Sequence, residues 1–544
     1  MNLIEGNNYW KKVFFVCVIV AAALLLRLYS LDSYSFWYDE ASCVLDERGL
    51  NQIHPISKLL DSEYLLKNQD YLALYNHGVI YYWQMLVGKS EFVLRLSSVI
   101  FSLLSICMIY ILGRLVFNVK TARIASVLLA ISPFHIYYAQ ELRPYAAVCF
   151  LAMFSVFLFI RALETGKKIF WIGYVVCSVL NVYFHCAGLL MLFSSCIFYM
   201  LNIRKYKNSI IPFVLSGTVI TFLLIPIFLT LYPNLQSIFT NEAYFRVNIF
   251  PVSAGKPTLA HLLATLKNFS IGYNISYYSY GGKLILVLSL SLFLVGAYKF
   301  YSRTNVKLVL AVLFIPIVLL FIFSQINPCY IDRYLFSIFP LYILGIAAGL
   351  ATLPKKYSVI IILIIVYFSC FGLKNYYANL YPQEQETQHA GISKKLDIRA
   401  MARFIAENYT TGDCIIHTCE NTVFPLRFYI RQSSDKLDLI EEVDEGKVLL
   451  VRNIVGEGPL LVEAKYNELH PTMPLASRFD IGEGLPNTNR MWVIFSSWTF
   501  QAEDSREYAV IEELLDMLRV SRVKEFDGFF LYELVSKKRS NLRL

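Results

Sequence analysis

The stretch K-K-V-F-F-V-C-V-I-V-A-A-A-L-L-L-R-L-Y-S-L-D-S-Y-S-F-W-Y-D-E-A, residues 11 to 41, decides the fold class of this chain. Two lysines precede an apolar run, Val13 to Leu28, which Arg27 interrupts near its end. Apolar helices near 20 residues cross about 30 Å of hydrocarbon, and this run approaches that length. No small-x-small cleavage site follows, so the run reads as a retained anchor rather than a signal peptide. The polarity then changes at once. The segment S-F-W-Y-D-E-A, residues 35 to 41, presents two adjacent carboxylates, Asp39 and Glu40, flanked by Trp37 and Tyr38.

Similar apolar runs recur along the first two-thirds of the chain. Of its 544 residues 57% are hydrophobic and 16% charged, with a mean hydropathy of +0.51. Soluble domains hold about 45–50% apolar and about 25% charged residues, so a soluble globule of this composition could not hide its apolar surface. The expected fold class is a polytopic α-helical membrane protein with about 11 spans. They are placed near 13–30, 92–117, 122–139, 145–162, 169–184, 186–203, 209–232, 283–300, 307–325, 334–352 and 357–374.

The connections alternate in character. Short basic ones are Lys11-Lys12, Arg114 to Arg123, Arg161 to Lys168, Arg204 to Lys207, Lys299 to Lys307 and Lys355-Lys356. Longer aromatic or acidic ones are 31–91, 140–144, 233–282 and 326–333. Basic loops stay in the cytoplasm. An odd number of spans therefore puts the N-terminus inside and the C-terminus outside a cell (inner) membrane. The net charge of +9 lies in these short gaps and forms no binding stripe, which excludes nucleic acid as a partner. The aromatic loops predict short interfacial helices in 31–91, and headgroup-depth side chains at Tyr244, Phe245, Phe250, Tyr273, Tyr277, Tyr278 and Tyr280. Eleven cysteines are scattered without metal-site spacing. Cys43, Cys329, Cys414 and Cys419 face outward on this topology, and pairing among them is left open.

The tail has mixed charge and short apolar runs. Asp397 to Tyr409 predicts an amphipathic helix, and Asp413 to Thr418, Lys447 to Arg452 and Met491 to Ser496 predict buried strands. Glu507 to Val520 predicts another helix, and Val523 to Val535 a strand pair or one long strand. The expected organisation is a membrane domain, 1–374, whose outer loop 31–91 carries the acidic pair, and an extracytoplasmic α/β domain, 375–544.

Asp39-Glu40 is either a solvated acid pair or a general base. Carboxylates at an apolar surface make stronger bases than solvated ones. Cations stand at the same face. Arg27 closes the first span against the positive-inside pattern, and it either snorkels or serves a function. Arg143 lies in Y-Y-A-Q-E-L-R-P-Y, where Glu141 offers an ion-pair alternative. Arg333 lies in N-P-C-Y-I-D-R-Y. Arg95 follows Glu91 by four residues, as an i,i+4 pair does. Guanidiniums converging at one depth would hold a phosphate. His77 and His185 also fall at this face, where a lone histidine is more often structural than catalytic. Base, cations and membrane depth together describe an acceptor hydroxyl attacking a sugar on a lipid phosphate, with arginines stabilising the leaving phosphate.

Seven ordered segments carry a family likeness: L-R-L-Y-S-L (26–31), F-W-Y-D-E-A (36–41), N-H-G-V-I-Y-Y (76–82), G-K-S-E-F-V-L-R-L-S-S (88–98), Y-A-Q-E-L-R-P-Y-A (138–146), Y-F-H-C-A-G (183–188) and D-R-Y-L-F-S-I-F-P (332–340). In this order the chain resembles the GT-C superfamily, in particular the protein O-mannosyltransferases and the aminoarabinose transferases of lipid A. The resemblance implies a polyprenyl-phosphate sugar as donor and an outer-face site. It implies Asp39 as base beside Glu40, and Arg27, Arg143 and Arg333 at the donor phosphate. His77, Tyr138, Glu141 and His185 are the expected substrate contacts. The family often has His-Pro-Pro where this chain has His77-Gly78-Val79. No ligand cluster demands a metal, and a divalent ion used by relatives is left open. A lipid, glycan or protein acceptor fits equally. A transporter or lipid-linked-sugar flippase, and a membrane-anchored scaffold, are the competing functions.

Overall fold

The computed structural model describes residues 3–45, 74–240, 256–326, 328–382, 395–410, 413–417, 422–433, 448–452, 460–463, 490–496, 518–526 and 528–536. Expectations for 46–73, 241–255, 501–517 and Cys419 lie outside these residues. The chain divides into two compact units. One comprises Met1–Leu31 and Pro55–Lys394, the other Asp32–His54 and Lys395–Leu544.

Among the described residues the first unit is built of helices and their connections. In chain order it holds α1 (Leu3–Leu28), and the second unit takes α2 (Tyr38–Ala41). A π-helical turn (Leu74–Ile80) leads into α3 (Tyr81–Val87), α4 (Glu91–Val116), α5 (Val119–Ile131), α6 (Pro133–Ala139), α7 (Tyr145–Thr165) and α8 (Lys168–Phe184). Then come α9 (Gly188–Leu201), α10 (Ile210–Thr240), α11 (Leu259–Ile271), α12 (Tyr280–Phe300), α13 (Thr304–Ile326), α14 (Phe339–Thr352) and α15 (Lys355–Tyr377). Among the described residues six helices are long and apolar enough to cross a membrane. The bent pair α5–α6 makes a seventh, and four shorter apolar helices accompany them. Large side chains such as Ile211, Phe222 and Leu201 are 79%, 70% and 80% exposed. Such apolar surface is at home only in lipid, and the unit is that of a multi-pass membrane protein.

Inside the bundle small residues let backbones approach. In α12 and α14 a Cβ on Gly349 would lie 2.0 Å from the Leu292 carbonyl oxygen, and one on Gly296 would lie 2.4 Å from that of Gly345. This is the small-xxx-small crossing of lipid-embedded helices, where dispersion replaces the hydrophobic effect. The basic loops cap helix ends as well as setting topology. Lys120 Nζ donates to Ala351 O at 2.8 Å, and Arg303 Nη1 to Phe117 O at 2.6 Å. Both satisfy C-terminal carbonyls that have no intrahelical partner.

The expected span 122–139 is broken. Ser132 accepts from His135 N at 3.3 Å, Pro133 opens the new helix, and the chain bends by 60°. A capping serine followed by proline is a helix start within an otherwise apolar run. Pro144 stands at the N-cap of the next helix. Tyr273 also departs from expectation. It is 1% exposed and its hydroxyl hydrogen-bonds that of Tyr138 at 2.7 Å, so it belongs to the core. Tyr278 and Tyr280 are exposed. Cys43 and Cys329 are free thiols.

Besides the turn α2, the described residues of the second unit form a mixed sheet with two longer helices. The elements are α16 (Ile398–Asn408), β1 (Cys414–His417), α17 (Val423–Ser433), β2 (Val448–Arg452), β3 (Leu460–Glu463), β4 (Arg490–Ser496), β5 (Leu518–Phe526) and β6 (Phe529–Ser536). The strand order is β3-β2-β1-β4-β6-β5. Strand β1 runs parallel to both neighbours, with Ile415 opposite Val448 and Trp492. The remaining pairs are antiparallel. Helix α16 buries Ile398, Met401, Ala402 and Ile405, the i, i+3, i+4, i+7 stripe of an amphipathic helix. Leu518–Val520, expected at the end of a helix, is strand. It pairs with β6 through a hairpin whose Gly528 has φ +78°, a conformation that costs glycine nothing. The short β3 and helix α17 were not expected from the sequence. The boundary also moves. The acidic segment, expected as a loop of the membrane domain, groups with the tail.

Candidate active site

Arg143, His185 and Arg333 come from three separate segments of the first unit and meet through aromatic rings. The Arg143 guanidinium lies 5.8 Å from the Tyr145 ring centre. Tyr145 lies 5.5 Å from His185, and His185 lies 5.4 Å from Tyr334. The Arg333 guanidinium lies 5.7 Å from the Tyr334 ring. The rings form a wall with a cation at each end, within the range of cation–π attraction. Arg143 and Arg333 are half-buried, so each keeps a face from which a ligand can be reached.

His185 is buried. Its pKa is pushed down to about 3, by burial first and then by the charges of Arg143 and Arg333. It is therefore neutral at physiological pH. Its Nδ1 accepts from Ala187 N at 3.2 Å, which leaves the ring proton on Nε2. The wall thus offers two fixed guanidiniums and one neutral imidazole, a donor set suited to an anion of one or two charges.

The backbone of Arg143 is held from two sides. Tyr75 Oη donates to its carbonyl at 3.1 Å and Ser98 Oγ at 3.5 Å. Tyr75 stacks edge-on against Phe184 at 5.5 Å, the residue before His185. His77 shares the π-helical turn with Tyr75 and is buried. Tyr138 and Glu141, expected to touch substrate, are both buried. Tyr138 supports Tyr145 at 5.2 Å, and Glu141 hydrogen-bonds Tyr137.

Arg333 is placed by its neighbour. The Asp332 carboxylate accepts from Thr265 Oγ1 at 2.5 Å and from Asn268 Nδ2 at 2.6 Å, both on α11. Burial raises its pKa from 3.8 to about 6, against the lowering effect of these hydrogen bonds and of Lys267. The folded state therefore binds, between about pH 4 and 6, a proton that the unfolded chain has lost. Stability falls as pH rises through that window and is level above it. We expect the melting temperature in detergent to fall between pH 4.5 and 7, and Asp332→Asn to flatten the decline. Equal slopes for both proteins would refute this.

Arg27 is elsewhere. It is fully buried. Nε donates to Ser102 Oγ at 2.6 Å, and Nη1 to Ala23 O at 2.9 Å and Ala130 O at 3.0 Å. Nη2 lies 2.8 Å from His135 Nδ1 and 3.5 Å from Leu129 O. The bend at Ser132 strips the last carbonyls of α5 of helical partners, and Arg27 satisfies them. This geometry makes it a seal for the kink. Arg95 donates to Leu31 O at 2.9 Å and pins the end of the first span.

In the second unit, Asp39 and Glu40 occupy the single turn α2. Glu40 is fully buried and Asp39 partly exposed. The Asp39 carbonyl accepts from Ser42 Oγ at 2.9 Å and Cys43 Sγ at 3.3 Å. Of the two, Asp39 is the one that keeps exposed surface. Among the described residues no three His, Cys, Asp or Glu side chains converge as metal ligands. Tyr145, Tyr334, Asp332, Thr265 and Asn268 were missed as site residues. The two tyrosines stand within two positions of an arginine, in R-P-Y and D-R-Y, and that pairing is the signal that could have found them.

Residues 79–229 match the family described as dolichyl-phosphate-mannose-protein mannosyltransferase. No curated protein matches by sequence. Among solved structures, ArnT from Cupriavidus metallidurans in the apo state is similar with a TM-score of 0.56 at 12% identity, covering 96% of this chain and 98% of that one. ArnT from the same organism bound to undecaprenyl phosphate is similar with a TM-score of 0.54 at 13% identity, covering 95% and 97%. At such identities the likeness is one of fold.

Proposed function

We propose that the chain is a glycosyltransferase of the GT-C superfamily and that it moves a sugar from a polyprenyl-phosphate donor to an acceptor hydroxyl or phosphate at the outer face of the cell membrane, a reading supported by the family match over residues 79–229 and by the ArnT-like fold. The observation that carries the reading is the pair of guanidiniums, Arg143 and Arg333, on either side of a neutral His185. A lipid phosphodiester carries one negative charge, and its phosphate gains a second as the sugar leaves. Half-buried guanidiniums favour the second state over the first, which lowers the barrier rather than merely tightening binding. An ArnT of the same fold binds undecaprenyl phosphate, which supports this class of donor.

In the reaction the acceptor oxygen attacks the anomeric carbon. The bond from that carbon to the phosphate oxygen breaks, and its electron pair stays with the lipid phosphate. The acceptor proton passes to Asp39, assigned as base from its sequence motif and its partial exposure. One displacement inverts the anomeric centre, as in single-displacement glycosidases. Eleven membrane crossings, with the N-terminus inside, would carry the second unit to the outer side.

The test is reconstitution in proteoliposomes with a panel of undecaprenyl-phosphate sugars, offering lipid A and envelope protein as acceptors. Sugar incorporation with stoichiometric release of undecaprenyl phosphate is the expected result. Donor crossing the bilayer intact, with no transfer, would establish a flippase instead.

A further inference from the structure

The acidic segment is tied to the tail at Asp32, Ser33, Ser35, Phe36 and Tyr38. Arg399 on α16 donates to Asp32 O at 2.9 Å and to Ser33 O at 2.7 Å. Ser35 Oγ donates to Leu396 O at 2.6 Å and accepts from Ile398 N at 3.1 Å. The buried Phe36 N–H donates to Tyr429 Oη at 2.6 Å. The Phe36 ring packs on Phe428 at 5.0 Å, and Tyr38 stands edge-on to Phe424 at 5.0 Å. Phe424 and Phe428, spaced i and i+4, share one face of α17, and Tyr429 stands beside it. Trp37 caps α2, and its carbonyl accepts from Glu40 N and Ala41 N. Phe36 is three residues from Asp39.

We propose that the C-terminal α/β unit positions the Asp39 carboxylate, and that Tyr429 is the positioning residue. This rests on the reading of Asp39 as the base. A general base works only when held within a fraction of an ångström of its proton. A single turn of four residues cannot supply such rigidity alone. The hydrogen bond from a buried backbone amide to a phenol on a packed helix does. The tail is then part of the catalytic apparatus, not only a module for the acceptor.

Tyr429→Phe keeps the ring and removes the hydroxyl. We expect turnover to fall roughly tenfold, with the KM for the lipid donor and the affinity for undecaprenyl phosphate unchanged. Arg399→Gln, which releases the other end of the segment, should produce the same split, and melting temperatures check that both variants are folded. In an Asp39→Asn background, Tyr429→Phe should cost nothing further, because it acts through the carboxylate already lost. Wild-type turnover in a folded Tyr429→Phe protein, or the same loss in both backgrounds, would overturn the positioning role. If Asp39→Asn itself keeps full transfer, the base assignment falls and the positioning role with it. If Asp39→Asn is inactive and Tyr429→Phe is not impaired, only the positioning role falls.

Discussion

The Asp39→Asn protein is expected to insert and fold like the wild type and to transfer sugar about 10²–10⁴-fold more slowly, the contribution of a positioned general base. Asparagine has the same shape and cannot take the proton. Asp39 is partly exposed and its backbone carbonyl is fixed by Ser42 and Cys43, so the change strands no deeply buried group. Donor binding should be untouched, since only the chemical step needs the base. Single-turnover transfer and lipid-phosphate binding, measured side by side, separate the two. Full transfer by the variant would remove Asp39 from the mechanism. Glu40→Gln is a poorer probe, because Glu40 is fully buried and its loss is a packing and hydrogen-bonding change.

Truncating either end of the aromatic wall should be nearly as damaging. Arg143→Ala and Arg333→Ala are each expected to lower turnover about 10²–10³-fold, the loss typical of removing one group that stabilises developing charge. His185 cannot compensate, because its low pKa keeps it neutral across the working range. Lysine at 143 should recover only part of the loss. It restores the charge and not the planar fork that meets two phosphate oxygens at once. The backbone carbonyl of Arg143 is held by Tyr75 and Ser98 independently of its side chain, so truncation leaves the wall standing. Binding of undecaprenyl phosphate should weaken less than turnover. Equal weakening would mean that the guanidiniums hold ground state and transition state alike, and unchanged turnover would place the phosphate elsewhere.

What was legible in the sequence divides by the range of the interaction that decides it. A helix underlies each of the apolar runs, because a lipid span is specified by its own residues. The bend at Ser132-Pro133 was also local, and the length of the run concealed it. The motifs brought Arg143, His185 and Arg333 forward by chain position, although the rings that join them were passed over. For Arg27 the sequence gives the depth along α1 and not the open carbonyls of α5 beside it. Tyr273 was misjudged because tyrosine suits both a headgroup and a polar core. The union of Asp32–His54 with the tail rests on partners such as Phe36 and Tyr429, 393 residues apart, which no local pattern encodes.

The sealed bend has a consequence for how the protein is made. Arg27 emerges early, while Ser102 and His135 follow 75 and 108 residues later. At about 5–20 residues per second, the guanidinium waits several seconds in the bilayer before its partners are synthesised. A lone arginine in a helix is drawn toward the lipid–water boundary. The first helix must therefore ride shallow at the translocon and settle deeper only when the fourth, fifth and sixth helices arrive. Assembly of the bundle is thus ordered by a single charge, and a ribosome that stalls before His135 would leave a nascent chain that membrane quality control can recognise.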